Sequence, residues 1–468
     1  MSDEEASPLG DLHPYRDRFP VQTALPAEGR PHEQVLAELA AMAAAEHEKW
    51  SAGQVSGTFY HGGMEHYAFL NRAFALYSHA NLLQRDLCPS GTKLESEIIA
   101  MTAQMLHAAA ARERNPDDEV AGAVTSGGTE SILEAMLVYR EWARRERGIE
   151  RPEVIAPETI HPAFMKAAHL FDFDLVRVPV KDYVADVDAM AARVSPRTIA
   201  FAASAGSYPY GLVDPIARLS DVALERKIGL HVDGCLGGFI LPWVERLGYE
   251  VPRFDFRLPG VTSISCDPHK YGYGLKGSSV VLYRNKRLRR FQYFTTGVWQ
   301  GGMYGSPTLQ GSRSGGLSAA TWAAMVTMGE RGYLEAARAI MKAADTIRAG
   351  IATIPELYVP GPSTFLIAIL SDVVDVFHVN DHLSSRGWRL NACQRPPGAH
   401  FCVTLRQTQP GVAERFVDDL RAAVAYAKTP DLPTATSGAV YGLAGMPGGP
   451  EMAEDFIAAY MDATYEPA

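Results

Sequence analysis

The sequence predicts an α/β protein with a mainly parallel central sheet, an N-terminal helical segment and a smaller C-terminal α+β domain. Three observations predict it. Residues 33–112 carry apolar residues at helical spacing and no run typical of a strand. From about residue 120 to 283, short apolar runs alternate with amphipathic stretches, the signature of strand–helix units. Beyond a long helical stretch near residue 319, only two strand candidates remain among three helices.

Taken in order, residues 1 to about 32 are rich in Pro and charge and read as an extended arm. Helices are expected over 33–50, 64–83 and 92–112, with the Gly-rich loop Ser56–Gly63 between the first two. Strands are expected at 122–125, 154–157, 175–180, 198–204, 229–233, 261–266 and 278–283. Helices at 129–147, 162–171, 186–194 and 215–227 separate most of the early ones. A long helix at 319–348 leads into strands 365–370 and 401–405, with helices near 374–386, 411–427 and 450–463. The division that follows is 1–88 for the arm and helical segment, 89–330 for the large domain and 331–468 for the small one.

The chain of 468 residues, 47% hydrophobic and 21% charged, has the composition of an ordinary globular protein. A net charge of −10 argues against nucleic acid as a partner, because phosphate backbones demand clustered Lys and Arg. The five cysteines show no CxxC or zinc-ligand spacing, so no metal site is expected and reduced thiols in a cytoplasm are the simplest reading. MSDEEASPLG is too acidic for a secretory signal, and Leu36–Ala45, with Glu38 inside it, is too short to span a bilayer. A soluble protein without a transmembrane segment is expected.

Four features fall just beyond expected strands. Lys270, in SCDPHKYGYGLKGSS, follows strand 261–266. Burial there would lower its pKa and free the amine to form an imine. Asp233 ends strand 229–233, where a carboxylate can pair with a protonated pyridine nitrogen. TSGGTES, Thr125–Ser131, joins a strand to a helix, and its Gly128 and Thr129 amides form a ready phosphate site. His161 follows strand 154–157, where an imidazole can stack on a flat ring. Singly, each has a plainer reading: a loop lysine, a turn aspartate, a helix cap, a structural histidine. Together, in this order and at the carboxyl ends of strands in one α/β domain, they describe a pyridoxal 5′-phosphate (PLP) site. The sequence offers no GxxxxGK[ST], no HExxH and no strand-linked GxGxxG to compete with that reading.

Longer motifs carry a family resemblance. VSGTFYHG, VTSGGTESIL, HVDGCLGGF, FDFRLPGVTSIS, HKYGYGLKGSS, WQGGMYGSPTLQGSRSGG and HFCVTL are similar to segments of the sphingosine-1-phosphate lyases. These belong to the fold-type I PLP enzymes, alongside the group II amino-acid decarboxylases. The WQGG…GSR block and Lys276 are the lyase-specific part. The resemblance implies that Lys270 forms the internal aldimine, Asp233 pairs with the pyridine nitrogen and His161 stacks on the ring. It implies that Gly128, Thr129 and His269 hold the cofactor phosphate, and that Ser312 reaches it from a neighbouring subunit of a homodimer with a shared active site. Tyr60 and Lys276 are implied near the substrate's phosphate or amino-alcohol head, with Tyr208 facing the cofactor. The implied reaction is retro-aldol cleavage of a phosphorylated sphingoid base to a fatty aldehyde and phosphoethanolamine, with Lys276, Tyr60 or a substrate phosphate oxygen moving the proton.

Two departures stand out. Gln84 occupies a position where the lyases often have a histidine, and a neutral donor binds phosphate roughly half as strongly as a charged one. The N-terminal membrane helix of the eukaryotic lyases has no counterpart, as in the bacterial type. An amino-acid decarboxylase and a non-catalytic PLP-fold protein are the alternatives. The intact Lys270, Asp233, His161 and Thr129 count against the second.

Overall fold

The structure, a computed structural model, describes residues 12–441 and 449–467. Residues 1–11 of the expected arm lie outside them. Backbone contacts group the chain into two compact units. One holds Tyr60–Lys342 and Pro360–Leu366; the other holds the chain up to Phe59, Ala343–Val359 and the residues from Ile367 on. These limits differ from the division at 88 and 330. Residues 60–88 pack with the large sheet's unit, and that unit continues along the helical stretch Gly315–Ile351 as far as Lys342. That helix breaks at Gly329, whose φ of 53° only glycine adopts freely.

The first unit is built on seven strands: β1 Ala121–Thr125, β2 Glu153–Pro157, β3 Asp174–Val178, β4 Thr198–Ser204, β5 Gly229–Gly234, β6 Ser263–Cys266 and β7 Ser279–Tyr283. Their order is β1-β7-β6-β5-β4-β2-β3. β7 is antiparallel to both neighbours and the other pairs are parallel. Strands β2, β4, β5 and β6 are buried along their whole length, as a parallel sheet covered on both faces requires. Because β7 reverses the direction twice over, β1 runs parallel to β6. The carboxyl ends of β1, β2, β4, β5 and β6 therefore share one edge, together with the amino end of β7. The helix Gly128–Arg147 packs Ile132, Met136 and Tyr139 into the core on one face.

In the second unit, a three-stranded sheet has the order Leu366–Leu370, Pro397–Cys402, Asn391–Gln394. Helices Val376–Ser385 and Val412–Ala427 pack on each other, burying Phe377, Leu383, Phe416 and Leu420.

Several boundaries differ from the sequence reading. The helix expected over 64–83 ends at Ala75, because Asn81 and Leu82 pair instead with the backbone of Arg313 and Ser314. The helix expected over 92–112 splits at His107, whose φ is 59° and whose Nδ1 meets Asp255 Oδ2 at 3.1 Å. A hairpin of Phe294–Trp299 and Gly302–Ser306 was not expected, since its glycines and exposed apolar residues hide the alternating pattern.

Candidate active site

The shared strand edge gathers the polar residues. Period-two alternation puts His231 and Asp233 on one face of β5, and Ser263 and Ser265 beside them on β6. His231 bonds Ser263 Oγ at 2.8 Å and Ser265 Oγ at 3.2 Å. Burial pushes this imidazole down to about 4, against the opposing pull of Asp233, so it is a neutral support beneath the site. Asp233, nearly buried at the strand's end, accepts a hydrogen bond from the Cys235 amide at 3.0 Å.

Lys270 sits in the loop after β6, with Nζ 3.1 Å from Asp267 Oδ2. The sequence reading expected burial to lower its pKa. Burial does act in that direction, but Asp267, with smaller help from Cys235, Tyr60 and Asp233, outweighs it, and the net direction is upward. The neighbouring carboxylate, whose charge the sequence reading did not weigh, makes the difference.

Lys276 lies six residues on. Its Nζ stands 4.6 Å from the centre of the Tyr60 ring and donates to the His269 carbonyl at 3.4 Å. Tyr60 is buried and meets Tyr271 edge to face at 4.9 Å. The imidazoles of His61 and His66 stack at 3.9 Å, and His66 Nε2 bonds the Tyr273 carbonyl at 2.7 Å. The end of the Gly-rich loop is thus fastened to the lysine loop.

The Gly128–Arg147 helix opens at the same edge. Its first ladder bond runs from the Ser131 amide to the Gly127 carbonyl at 3.1 Å, so the amides before it face the helix's N-terminal end. A side chain at Gly127 would meet open space, whereas one at Gly128 would press on Asp267 Oδ2 at 2.6 Å and Cys235 Sγ at 2.8 Å. Thr129 is exposed. His269 Nδ1 faces the Ser278 carbonyl, and burial lowers its pKa. His161 Nδ1 accepts from the Ala163 amide at 3.1 Å, and its ring faces Tyr208, which is 46% exposed, edge-on at 6.5 Å. Among the described residues, the buried Thr159 and Ser207 hydroxyls at the ends of β2 and β4 have no hydrogen-bond partner.

Two expected residues stand apart. Ser312 is exposed and accepts a hydrogen bond from Asn81 Nδ2 at 3.0 Å; Gln84 is exposed in the turn after Asn81. Among the described residues no hydrogen bond, ion pair or ring contact joins either to the Lys270 loop. No group of His, Cys, Asp and Glu among them could hold a metal ion.

Comparison with known proteins bears on this geometry. A family model described as the pyridoxal-dependent decarboxylase conserved domain matches residues 14–361. The sphingosine-1-phosphate lyase of Oryza sativa subsp. japonica is 43% identical over 450 residues, spanning 95% of this chain and 82% of the relative. Among solved structures, sphingosine-1-phosphate lyase from Burkholderia pseudomallei is 50% identical with a TM-score of 0.92, covering 97% of this chain and 100% of that one. Glutamate decarboxylase from Lactobacillus brevis is 19% identical with a TM-score of 0.75 over 91% of this chain and 100% of its own, a likeness of fold alone. The site residues fit pyridoxal 5′-phosphate: an attachable lysine, an acid at a strand end, an open helix N-terminus and unpartnered hydroxyls surround one edge.

Proposed function

Because the chain belongs to the pyridoxal-dependent decarboxylase family and, within it, to the sphingosine-1-phosphate lyases, we propose that the Lys270 site cleaves the C2–C3 bond of a phosphorylated sphingoid base. The chain is a PLP-dependent carbon–carbon lyase. Its products under this reading are a fatty aldehyde and phosphoethanolamine. The observation that carries the reading is the pairing of Lys270 with a second lysine, Lys276, held over Tyr60. In this reading one amine attaches the cofactor and the other meets the substrate's phosphate or moves a proton.

The bound cofactor supplies an electron sink for the pair left on C2. Lys270 Nζ attaches it. Asp233 holds the proton on the pyridine nitrogen, and His161 covers the ring. The Gly128 and Thr129 amides face its phosphate. His269 joins them once Nε2 carries a proton, because Nδ1 already donates to Ser278; a bound phosphate dianion favours that second proton. Lys276 Nζ and the Tyr60 hydroxyl meet the substrate's head and move the proton of the C3 hydroxyl. Gln84, which stands apart from the Lys270 loop, takes no part in its own chain's site, and Tyr208 closes over the cofactor.

The active unit is a homodimer in which Ser312 completes the neighbouring subunit's phosphate site. In support, Ser312 is exposed, and the hairpin preceding it carries Val298 at 95% and Met303 at 93% exposure. A cytoplasmic setting accords with five cysteines that form no disulfide. No helix among the described residues is long and apolar enough to cross a membrane.

The test is product analysis. Incubation with sphingosine 1-phosphate is expected to release a long-chain aldehyde and phosphoethanolamine in equal amounts. Carbon dioxide and an amine from an amino acid, with no aldehyde from the lipid, would move the assignment to a decarboxylase.

A further inference from the structure

Asp267 has no part in the chemistry described so far, yet it is a buried carboxylate beside the attachment lysine. It is 1% exposed, and its Oδ1 accepts a hydrogen bond from Ser279 Oγ at 2.5 Å. Ser279 Oγ lies 2.7 Å from Ser131 Oγ, which lies 2.6 Å from Thr125 Oγ1. All three hydroxyls are buried. Each has one proton; Ser279 Oγ also lies 3.1 Å from the Cys266 carbonyl and Thr125 Oγ1 3.5 Å from the Gly127 carbonyl, and with Ser279 donating to Asp267 at the shorter distance, Ser131 donates to Ser279 and Thr125 to Ser131. Every proton in the chain then points toward the carboxylate, and such chains polarise and stiffen one another. The fold sets this up. Thr125 and Ser279 are register partners on β1 and β7, and Ser131 lies in the first turn of the helix after β1.

The other oxygen, Oδ2, accepts no hydrogen bond of good geometry among the described residues. It faces Lys270 Nζ at 3.1 Å and His269 Nε2 at 3.8 Å. A buried carboxylate oxygen left without donors is costly unless a cation answers it. Here the answering cation is the attachment lysine.

We propose that Asp267 is a positioning residue for Lys270: the hydroxyl chain fixes its carboxylate so that Oδ2 holds the free lysine amine and takes its proton as the lysine attacks the cofactor aldehyde. The balance closes. The ammonium gives one proton to Asp267, and the neutral amine bonds to the aldehyde carbon. The aldehyde oxygen takes one proton from the attacking nitrogen and the other back from Asp267, and leaves as water as the protonated carbon–nitrogen double bond forms beside the restored carboxylate. No oxidant or further reactant is needed.

This rests on Lys270 as the attachment lysine, and the test keeps the two apart. Full-length protein is stripped of cofactor and resupplied with pyridoxal 5′-phosphate across a pH range, and the visible band of the lysine-bound cofactor is followed in time. In the wild type the attachment rate rises with pH to a plateau. Asp267→Asn removes the charge that favours the ammonium, so the midpoint is expected to fall by about one unit or more, about tenfold in free amine at a given pH below it. Its plateau is expected to fall as well, since the carboxylate that holds the free amine in place is gone. Asp267→Glu restores the charge and is expected to bring the midpoint back toward wild type. Ser279→Ala keeps the carboxylate but removes its donor, and a less satisfied carboxylate holds the ammonium more tightly, so the midpoint is expected to rise. It serves as the informative variant if Asp267→Asn does not fold. A wild-type midpoint in Asp267→Asn, or in Ser279→Ala where Asp267→Asn does not fold, overturns the proposal. A band that survives in Lys270→Ala overturns the attachment reading itself.

Discussion

The strand-edge site and the Phe294–Ser314 segment belong to the same unit and are built on opposite terms. At the strand edge, polar residues are buried and answer one another: His231 with two serines, Asp267 with a hydroxyl chain, Lys270 with Asp267. In the segment, Phe294, Val298, Trp299 and Met303 are exposed, and Ser312 finds its partner in Asn81. These side chains of the first region find their partners within their own chain. The second exposes apolar surface of the kind that marks an interaction site. Two hydrogen bonds lead from one to the other: Arg313 donates to the Val124 carbonyl on β1 at 3.2 Å, and Glu134, on the helix that opens at the strand edge, accepts from the Leu309 amide at 2.6 Å.

The largest effect should come from the strand edge. Lys270→Ala is expected to abolish both the visible cofactor band and turnover, read by spectrum and aldehyde assay. Lys276→Ala should keep the band and lower turnover by about 10²–10⁴, the usual worth of a positioned acid–base group. Equal loss of the band in both variants would erase the division of labour between the two lysines.

The segment is probed by Trp299→Ser with Met303→Ser. If a second copy covers them, each removes about 1.5–3 kcal/mol of apolar burial. Self-association, measured by sedimentation, should then weaken by roughly 10²–10⁴. Unchanged association would leave the segment without its proposed partner.

The junction should show the smallest effect, and its sign is fixed. Burial raises the Glu134 carboxyl to about 8 from the ordinary 4.5, partly offset by the Leu309 amide. The folded protein therefore holds this proton more tightly than the unfolded chain. The stability this contributes is full below about pH 4.5 and is lost as pH rises through about 8, by a few kcal/mol at most. Glu134→Gln should flatten that decline in denaturant unfolding followed from pH 5 to 8.5; superimposable curves would contradict it.

The same contrast explains what the sequence disclosed. β4 reads as seven buried residues in a row, and Asp233 and Lys270 follow strands directly, so chain order alone locates them. Asp267 was hidden because its meaning depends on Ser279 and Ser131, twelve and 136 residues away, which only the sheet order brings near. The direction of the Lys270 shift was misread for the same reason: burial can be guessed from a loop, but a partner charge cannot. The hairpin was missed because its apolar residues do not face this chain's core, and the periodicity of a core-facing strand was the signal sought.

The account turns on which amine carries the cofactor. Borohydride reduction of the holoenzyme fixes the cofactor to its lysine, and peptide mass spectrometry then locates it. A pyridoxyl group is expected on Lys270 with Lys276 unmodified; the group on Lys276, or on any residue other than Lys270, would overturn the assignment.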